Sequence, residues 1–213
     1  MTFFSQTQSN NQYENNLDTM LLGSNRKEDH YLKQAIAGER EGFEYLVSTY
    51  QNMAYTVAIK ICGNNEDAEE VVQDAFMKAF SALANFRSAS KFSTWLYKIV
   101  YYTALTKRSV RKINGVELNE ESGASAYLLD EKKEFNGLIQ ADRKKYINLA
   151  LAQLVEEERI VVTLYYLGEK STSEIAEILD LGTSAIKMRL MRGRQKLEKS
   201  LKGLLTDELK ELL

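Results

Sequence analysis

From Glu28 almost to the end of the chain, apolar residues recur at three- and four-residue intervals, the spacing that gathers them on one face of an α-helix. The pattern predicts helices over 28–37, 41–62, 66–84, 93–112, 135–154, 156–167, 172–179 and 183–202. The expected fold class is therefore all-α. The chain contains no proline, so glycines and capping side chains have to punctuate these helices. Gly63 follows the second helix as a stop. Asn65 precedes Glu66 and Asp67 as a cap, and those two acids suit the positive end of the helix they open.

Two stretches lack a sustained apolar face. Residues 1–25 are rich in Asn, Gln, Ser and Thr and read as a polar tail without fixed structure. Residues 113–133 combine Asn, Gly, Ser, Ala and acids and read as a linker. The organisation expected is a disordered tail over 1–26, a three- or four-helix bundle over 27–112, a flexible acidic linker over 113–141, a second helical unit over 142–203 and a helical extension over 204–213. No solenoid-type repeat runs through the sequence. No apolar run approaches the roughly 18 residues of a membrane span, and no charged-then-apolar leader opens the chain, so a cytoplasmic protein is expected.

Composition narrows the chemistry. The single cysteine, Cys62, has no partner for an internal disulfide, and the single histidine, His30, has no companions at metal-ligand spacing. Zinc binding and Cys–His catalysis are unsupported, and neither a metal nor another cofactor is expected. The formal net charge of −2 conceals strong segregation. Residues 87–116 hold seven cations (Arg87, Lys91, Lys98, Lys107, Arg108, Arg111, Lys112) and no acid. Residues 187–202 hold seven more against Glu198 alone, and an acidic stretch over 117–142 lies between the two blocks. Such blocks decide partners more than the total charge does.

The stretch STSEIAEILDLGTSAIKMRLMRGRQKL carries the most specific pattern. Ser171 with Glu174 three positions later forms a capping box opening a short helix whose Ile175, Ile178 and Leu179 share a face. Gly182 is expected to supply the tight turn into a second helix. On that helix Ile186, Leu190, Gly193 and Leu197 face inward. Ser184, Met188, Met191, Arg192 and Gln195 face outward, flanked by Lys187, Arg189, Arg194 and Lys196. A solvated helix in a small bundle would also expose charge, but exposed helices ordinarily mix signs. A helix-turn-helix entering a major groove uses polar side chains on base edges and flanking cations on phosphates.

The helix beginning FSTWLYKIVYY poses a different pattern. Leu96, Ile99, Thr103 and Val110 are expected to be its buried side, with Trp95 at the edge. Thr94, Tyr97, Lys98, Tyr101, Arg108 and Lys112 are expected on an exposed side where rings and cations alternate. That combination suits single-stranded nucleic acid, which needs a stacking surface as well as phosphate neutralisation. Trp95 fits either core or contact. The preceding loop, ANFRSASKF, fits either a pocket for an unstacked base or a plain connector. The acidic helix over 66–84 buries Val71, Ala75, Phe76, Ala79 and Leu83 and turns Glu66, Asp67, Glu69, Glu70, Gln73 and Asp74 outward. It is either a solvated face or a dock for a basic protein surface.

Taken in order, DAEEVVQDAFMKAF, FSTWLYKIV and the segment from Leu154 to Leu197 resemble regions 2.2, 2.4 and 4 of the sigma-70 family of bacterial transcription initiation factors, in the small extracytoplasmic-function group. The resemblance covers roughly 28–202. It implies two helical domains, region 2 over 27–112 and region 4 over 142–203, that bind core RNA polymerase and promoter DNA, both duplex and melted. It implies a core-polymerase contact at Asp67, Glu70, Gln73 and Asp74. The melted minus-ten element would fall to Asn85, Phe86, Arg87, Ser88, Ser90, Lys91, Thr94, Trp95, Tyr97, Lys98, Tyr101, Tyr102 and Arg108. The duplex minus-thirty-five element would fall to Thr183, Ser184, Lys187, Met188, Met191, Arg192 and Gln195. The acidic linker would thread the polymerase's nucleic-acid channels, and an anti-sigma factor, possibly membrane-anchored, would be a further partner.

Val155 stands where a helix-initiating proline is common in the group, and Tyr102 where asparagine is frequent. Met188 takes the place of a small polar residue. Gly193 replaces a usual alanine, which weakens a helix by about 1 kcal/mol unless close packing demands the glycine. A dimeric helix-turn-helix regulator is the main alternative, and it leaves the ring-bearing helix without a purpose. An enzyme acting on nucleic acid would place carboxylates for a metal beside the cationic faces, and here the acids lie elsewhere.

Overall fold

The computed structural model describes residues 26–86, 90–113 and 146–211, with side chains to residue 204. The tail over 1–25, Arg87 and Ser88, the linker over 114–141 and the start of the helix expected from residue 135 lie outside the described residues. Every regular element described is helical: α1 over 26–36, α2 Arg40–Cys62, α3 Asn65–Ala82, a 3-10 turn Leu83–Asn85, α4 Phe92–Ile113, α5 over 146–152, α6 Glu156–Tyr166, α7 Thr172–Leu179 and α8 Thr183–Glu211. Among the described residues no helix is long and apolar enough to cross a membrane.

The chain divides into two compact units. The first joins residues up to Tyr50 with Phe80–Phe86. Gly38, at φ 83, closes α1 in the left-handed region open to glycine. α2 then crosses α1 so tightly at Gly42 that a Cβ there would stand 2.3 Å from the Ala35 backbone nitrogen. Phe43 and Phe80 meet edge to face at 4.6 Å between centroids.

The second unit holds Gln51–Ala79 and the chain from Arg87 onward. Gly63 ends α2 at φ 78, its N–H donating to the Ile59 carbonyl. The cap of α3 is Asn64 rather than Asn65: its Oδ1 accepts from the Asp67 N–H at 2.9 Å, while Asn65 Oδ1 accepts from the Tyr55 hydroxyl. Ala68, Val71, Ala75, Phe76 and Ala79 form the buried stripe of α3. α3 is tied to α4 by Lys78 on Thr103, by Lys107 on Glu70 and by Arg111 on Asp67. Cys62 is buried, and burial first, then Asp67, pushes its thiol up to about 12.

Helices α6, α7 and α8 pack on one another, and α7 also packs against α4. Ile160, Val161, Leu164, Ile175, Ile178, Ile186 and Leu190 make the apolar centre of the three. Val155 begins α6 at φ −61 without a side-chain cap, and Glu156, Glu157 and Glu158 supply the acids of its first turn. α8 runs past the end expected at residue 202 and continues unbroken to Glu211.

Candidate nucleic-acid interface

The helix-turn-helix is built from local rules. Ser171 Oγ accepts from the Glu174 N–H at 3.2 Å, and Glu174 Oε2 accepts from the Ser171 N–H at 2.8 Å, which completes the capping box of α7. Burial alone would push the Glu174 carboxyl up. The Ser171 N–H and hydroxyl and the Lys91 ammonium overcome that and hold it at about 2. The turn that follows takes its left-handed residue at Asp180, φ 55, and not at Gly182. Aspartate tolerates this region better than most residues, and the Leu181 N–H closes the turn on the Ala176 carbonyl. Gly182 has open space around it, and its carbonyl accepts from Ile186.

On α8 the inward face is as the periodicity predicts: Ile186, Leu190 and Gly193 are buried, and Leu197 is half-buried. Thr183, Ser184, Lys187, Met188, Met191, Arg192 and Gln195 are all exposed, so the outward set is brought together on one surface. The flanking cations divide. Lys196 turns to the buried Glu158 at 2.7 Å, and the Arg194 guanidinium lies 4.9 Å from the Tyr165 ring centroid. Both contact α6 while remaining exposed.

α4 departs from expectation. Thr94 and Tyr97, expected on the open side, are buried, whereas Val110, expected inside, is 50% exposed. The buried arc near the start of α4 is wide because α7 packs against a side of the helix that its apolar stripe does not cover. Toward its C-terminal end the stripe continues as Lys107 and Arg111, whose charged ends reach acids of α3. Trp95, Lys98, Tyr101 and Arg108 are half-buried, Lys91 and Tyr102 are exposed, and Ser90 is half-buried. Burial raises the Tyr101 hydroxyl, which has Tyr102, Arg189 and Glu157 around it. In the first unit, Asn85 is exposed and Phe86 half-buried.

The acidic face of α3 is partly spent internally. Asp67 accepts from Asn64 and Arg111 and lies 3.8 Å from Lys107. Its burial pushes upward, but these partners leave it below the ordinary carboxylate range. Glu70 pairs with Lys107 at 2.5 Å. Gln73 and Asp74 are exposed, and so is Met77 at 68%. Among the described residues no group of His, Cys, Asp and Glu could hold a metal ion.

Residues 46–112 match the family model described as Sigma-70 region 2, and residues 144–197 match that described as Sigma-70, region 4. Among curated relatives, the ECF RNA polymerase sigma factor SigW of Bacillus subtilis (strain 168) is 30% identical over 181 residues, covering 81% of this chain and 96% of that protein. The ECF RNA polymerase sigma-E factor of Escherichia coli (strain K12) is 30% identical over 176 residues, covering 79% and 91%. Among solved structures, CnrH in complex with the cytosolic domain of CnrY superposes with a TM-score of 0.57 at 23% identity, over 81% of this chain and 96% of that one. The sigma factor RpoE in complex with the anti-sigma factor NepR from Bartonella quintana gives a TM-score of 0.57 at 23% identity, over 75% and 96%. These two likenesses speak to the fold.

Proposed function

Because the chain belongs to the sigma-70 family, in its extracytoplasmic-function group, we propose how its residues are divided between core RNA polymerase and promoter DNA. The protein is a transcription initiation factor that binds both. The observation that carries the division is the single exposed surface of α8, where Ser184, Lys187, Met188, Met191, Arg192 and Gln195 stand together after a capped short helix. That surface reads the duplex minus-thirty-five element.

The minus-ten element falls to the loop from Asn85 to Lys91 and to α4, with Tyr101 and Tyr102 as stacking surfaces and Lys98 and Arg108 as phosphate partners. Core polymerase is gripped by α3, chiefly through Gln73 and Asp74, since Asp67 and Glu70 already have cationic partners in the free chain. The functional division is region 2 over 27–112 and region 4 over 142–203. Joining two modest DNA contacts in one polymerase-bound chain makes the second effectively intramolecular and raises their combined strength. The chain performs no bond chemistry of its own and works in the cytoplasm, and an anti-sigma factor is its regulatory partner. The match to region 2 weighs against the dimeric-regulator reading, which has no use for it.

The test is transcription. Purified chain added to core RNA polymerase yields run-off transcripts from a cognate promoter, and alone it binds that duplex weakly. Full-strength duplex binding without core, and no transcript with it, would sink the reading.

A further inference from the structure

Two methionines interrupt the polar outward face of α8. Met188 is 49% and Met191 47% exposed, and among the described residues of that helix they are the large apolar side chains turned to solvent. The core makes no use of them, since Ile186 and Leu190 serve it from the opposite side and are buried. Around the methionines stand Ser184, Lys187, Arg192 and Gln195, all exposed and all able to hydrogen-bond. Met188 lies one turn from Ser184 and from Arg192, and Met191 one turn from Lys187 and from Gln195. The apolar pair therefore sits inside a polar, cationic frame.

We propose that Met188 and Met191 are specificity-determining contacts for the C5-methyl groups of thymines in two neighbouring base pairs of the duplex. The inference rests on the reading of α8 as the helix that enters the major groove. Leaving two large apolar side chains in water gains the free chain nothing. A thioether donates no hydrogen bond and accepts only weakly, so methionine is unsuited to the donors and acceptors of base edges. The thymine methyl is the apolar group that the major groove offers, and cytosine presents none at that place. Three residues of α-helix advance about 4.5 Å, and successive base pairs stand about 3.4 Å apart. The two side chains therefore meet neighbouring pairs rather than a single one. Three rotatable bonds and a polarisable sulfur let each settle against a methyl without strict backbone placement. The cations on either side attract phosphates whatever the sequence, so the preference for thymine comes from the methionines. A docking protein would also cover an apolar pair, but Lys187 and Arg192 around this one favour a polyanion.

The test uses the full chain on core RNA polymerase. Promoter duplexes with a randomised minus-thirty-five segment are selected for binding, and each thymine of the selected element is replaced in turn by deoxyuridine, which lacks only the methyl. Replacements in two neighbouring base pairs weaken binding about fourfold each, the factor that burial of one methyl-sized group gives. Met188→Ala removes the penalty at one of them and Met191→Ala at the other, whereas Met188→Leu, which keeps the apolar bulk, retains it. Both alanine variants stay folded, because neither side chain belongs to the core. A selected element without thymines in neighbouring pairs overturns the proposal, as does deoxyuridine that costs nothing. A penalty that the alanine variants leave unchanged also overturns it. Joint replacement Lys187→Ala and Arg192→Ala then separates the causes. If that variant loses affinity for the selected duplex, α8 meets the DNA and only the methyl contact fails. If it binds as the parent does, the reading of α8 fails as well.

Discussion

Gly193 of α8 approaches Val162 of α6 so closely that a Cβ on the glycine would stand 2.6 Å from Val162 Cγ2. The glycine is therefore the condition for packing α8 against α6, and the helix-propensity loss of about 1 kcal/mol is offset by the close approach. Gly193→Ala lowers the stability of the chain by about 1–2 kcal/mol, because the β-branched and buried Val162 cannot step aside. Adding Val162→Ala to Gly193→Ala recovers part of the loss. Denaturant unfolding of the two single variants and the double variant measures this coupling, and strict additivity would remove the contact from the account.

Ser171→Ala removes the acceptor of the capping box and costs about 1 kcal/mol. A dependence on acid accompanies it. The Glu174 carboxyl is held at about 2 in the fold against an ordinary value of 4.5, so its stabilising contribution is complete above about 4.5 and disappears as pH falls toward 2. Glu174→Gln flattens the stability profile across that window, and thermal unfolding between those limits reads the change.

How much of this is visible in the sequence differs between α8 and α4. In the helix-turn-helix, capping box, inward face and outward face are all short-range, and Ser171, Glu174, Ile186 and Leu190 could be placed by spacing alone. Glycine is the usual left-handed residue and points to Gly182 for the turn, yet Asp180 takes that conformation. On α4 the burial of Thr94 and Tyr97 was not legible. The covering comes from residues 80 and 77 positions away, Glu174 on Thr94 and Lys170 on Ser93, and it is polar, so no apolar stripe announces it. Asn64 and Asn65 are adjacent and equally suited to cap α3, so spacing alone does not separate them, and the cap falls one residue before the expected Asn65.

Lys60 is a buried lysine on α2 whose ammonium reaches Asn148 Oδ1 at 3.4 Å. Burial first, and then the charge of Arg159, lowers its pKa to about 7 from 10.5. The unfolded chain holds that proton more firmly, so the group destabilises the fold fully below about 7, and stability rises with pH from there toward 10.5. Lys60→Met raises stability by about 1–3 kcal/mol at neutral pH and abolishes this rise. Unfolding free energies measured from pH 6 to 8.5 check it, a range below the ordinary thiol value of 9.0 at which Cys62 would begin to contribute in the unfolded chain.

Arg192→Ala costs about 1–3 kcal/mol of minus-thirty-five recognition if the guanidinium meets a base edge, and it leaves folding intact because the side chain is exposed. Promoter binding by the polymerase-bound factor, compared across base substitutions in that element, shows relaxed preference at one position. A uniform loss over all sequences would instead make Arg192 a phosphate contact.

The unbroken course of α8 from Thr183 to Glu211 has a mechanical meaning. Twenty-nine helical residues make a rod of about 43 Å, with the exposed side chains of Ser184, Lys187 and Met188 near one end. A molecule that grips the far turns and tilts them moves the Thr183 end as a lever does, from a distance.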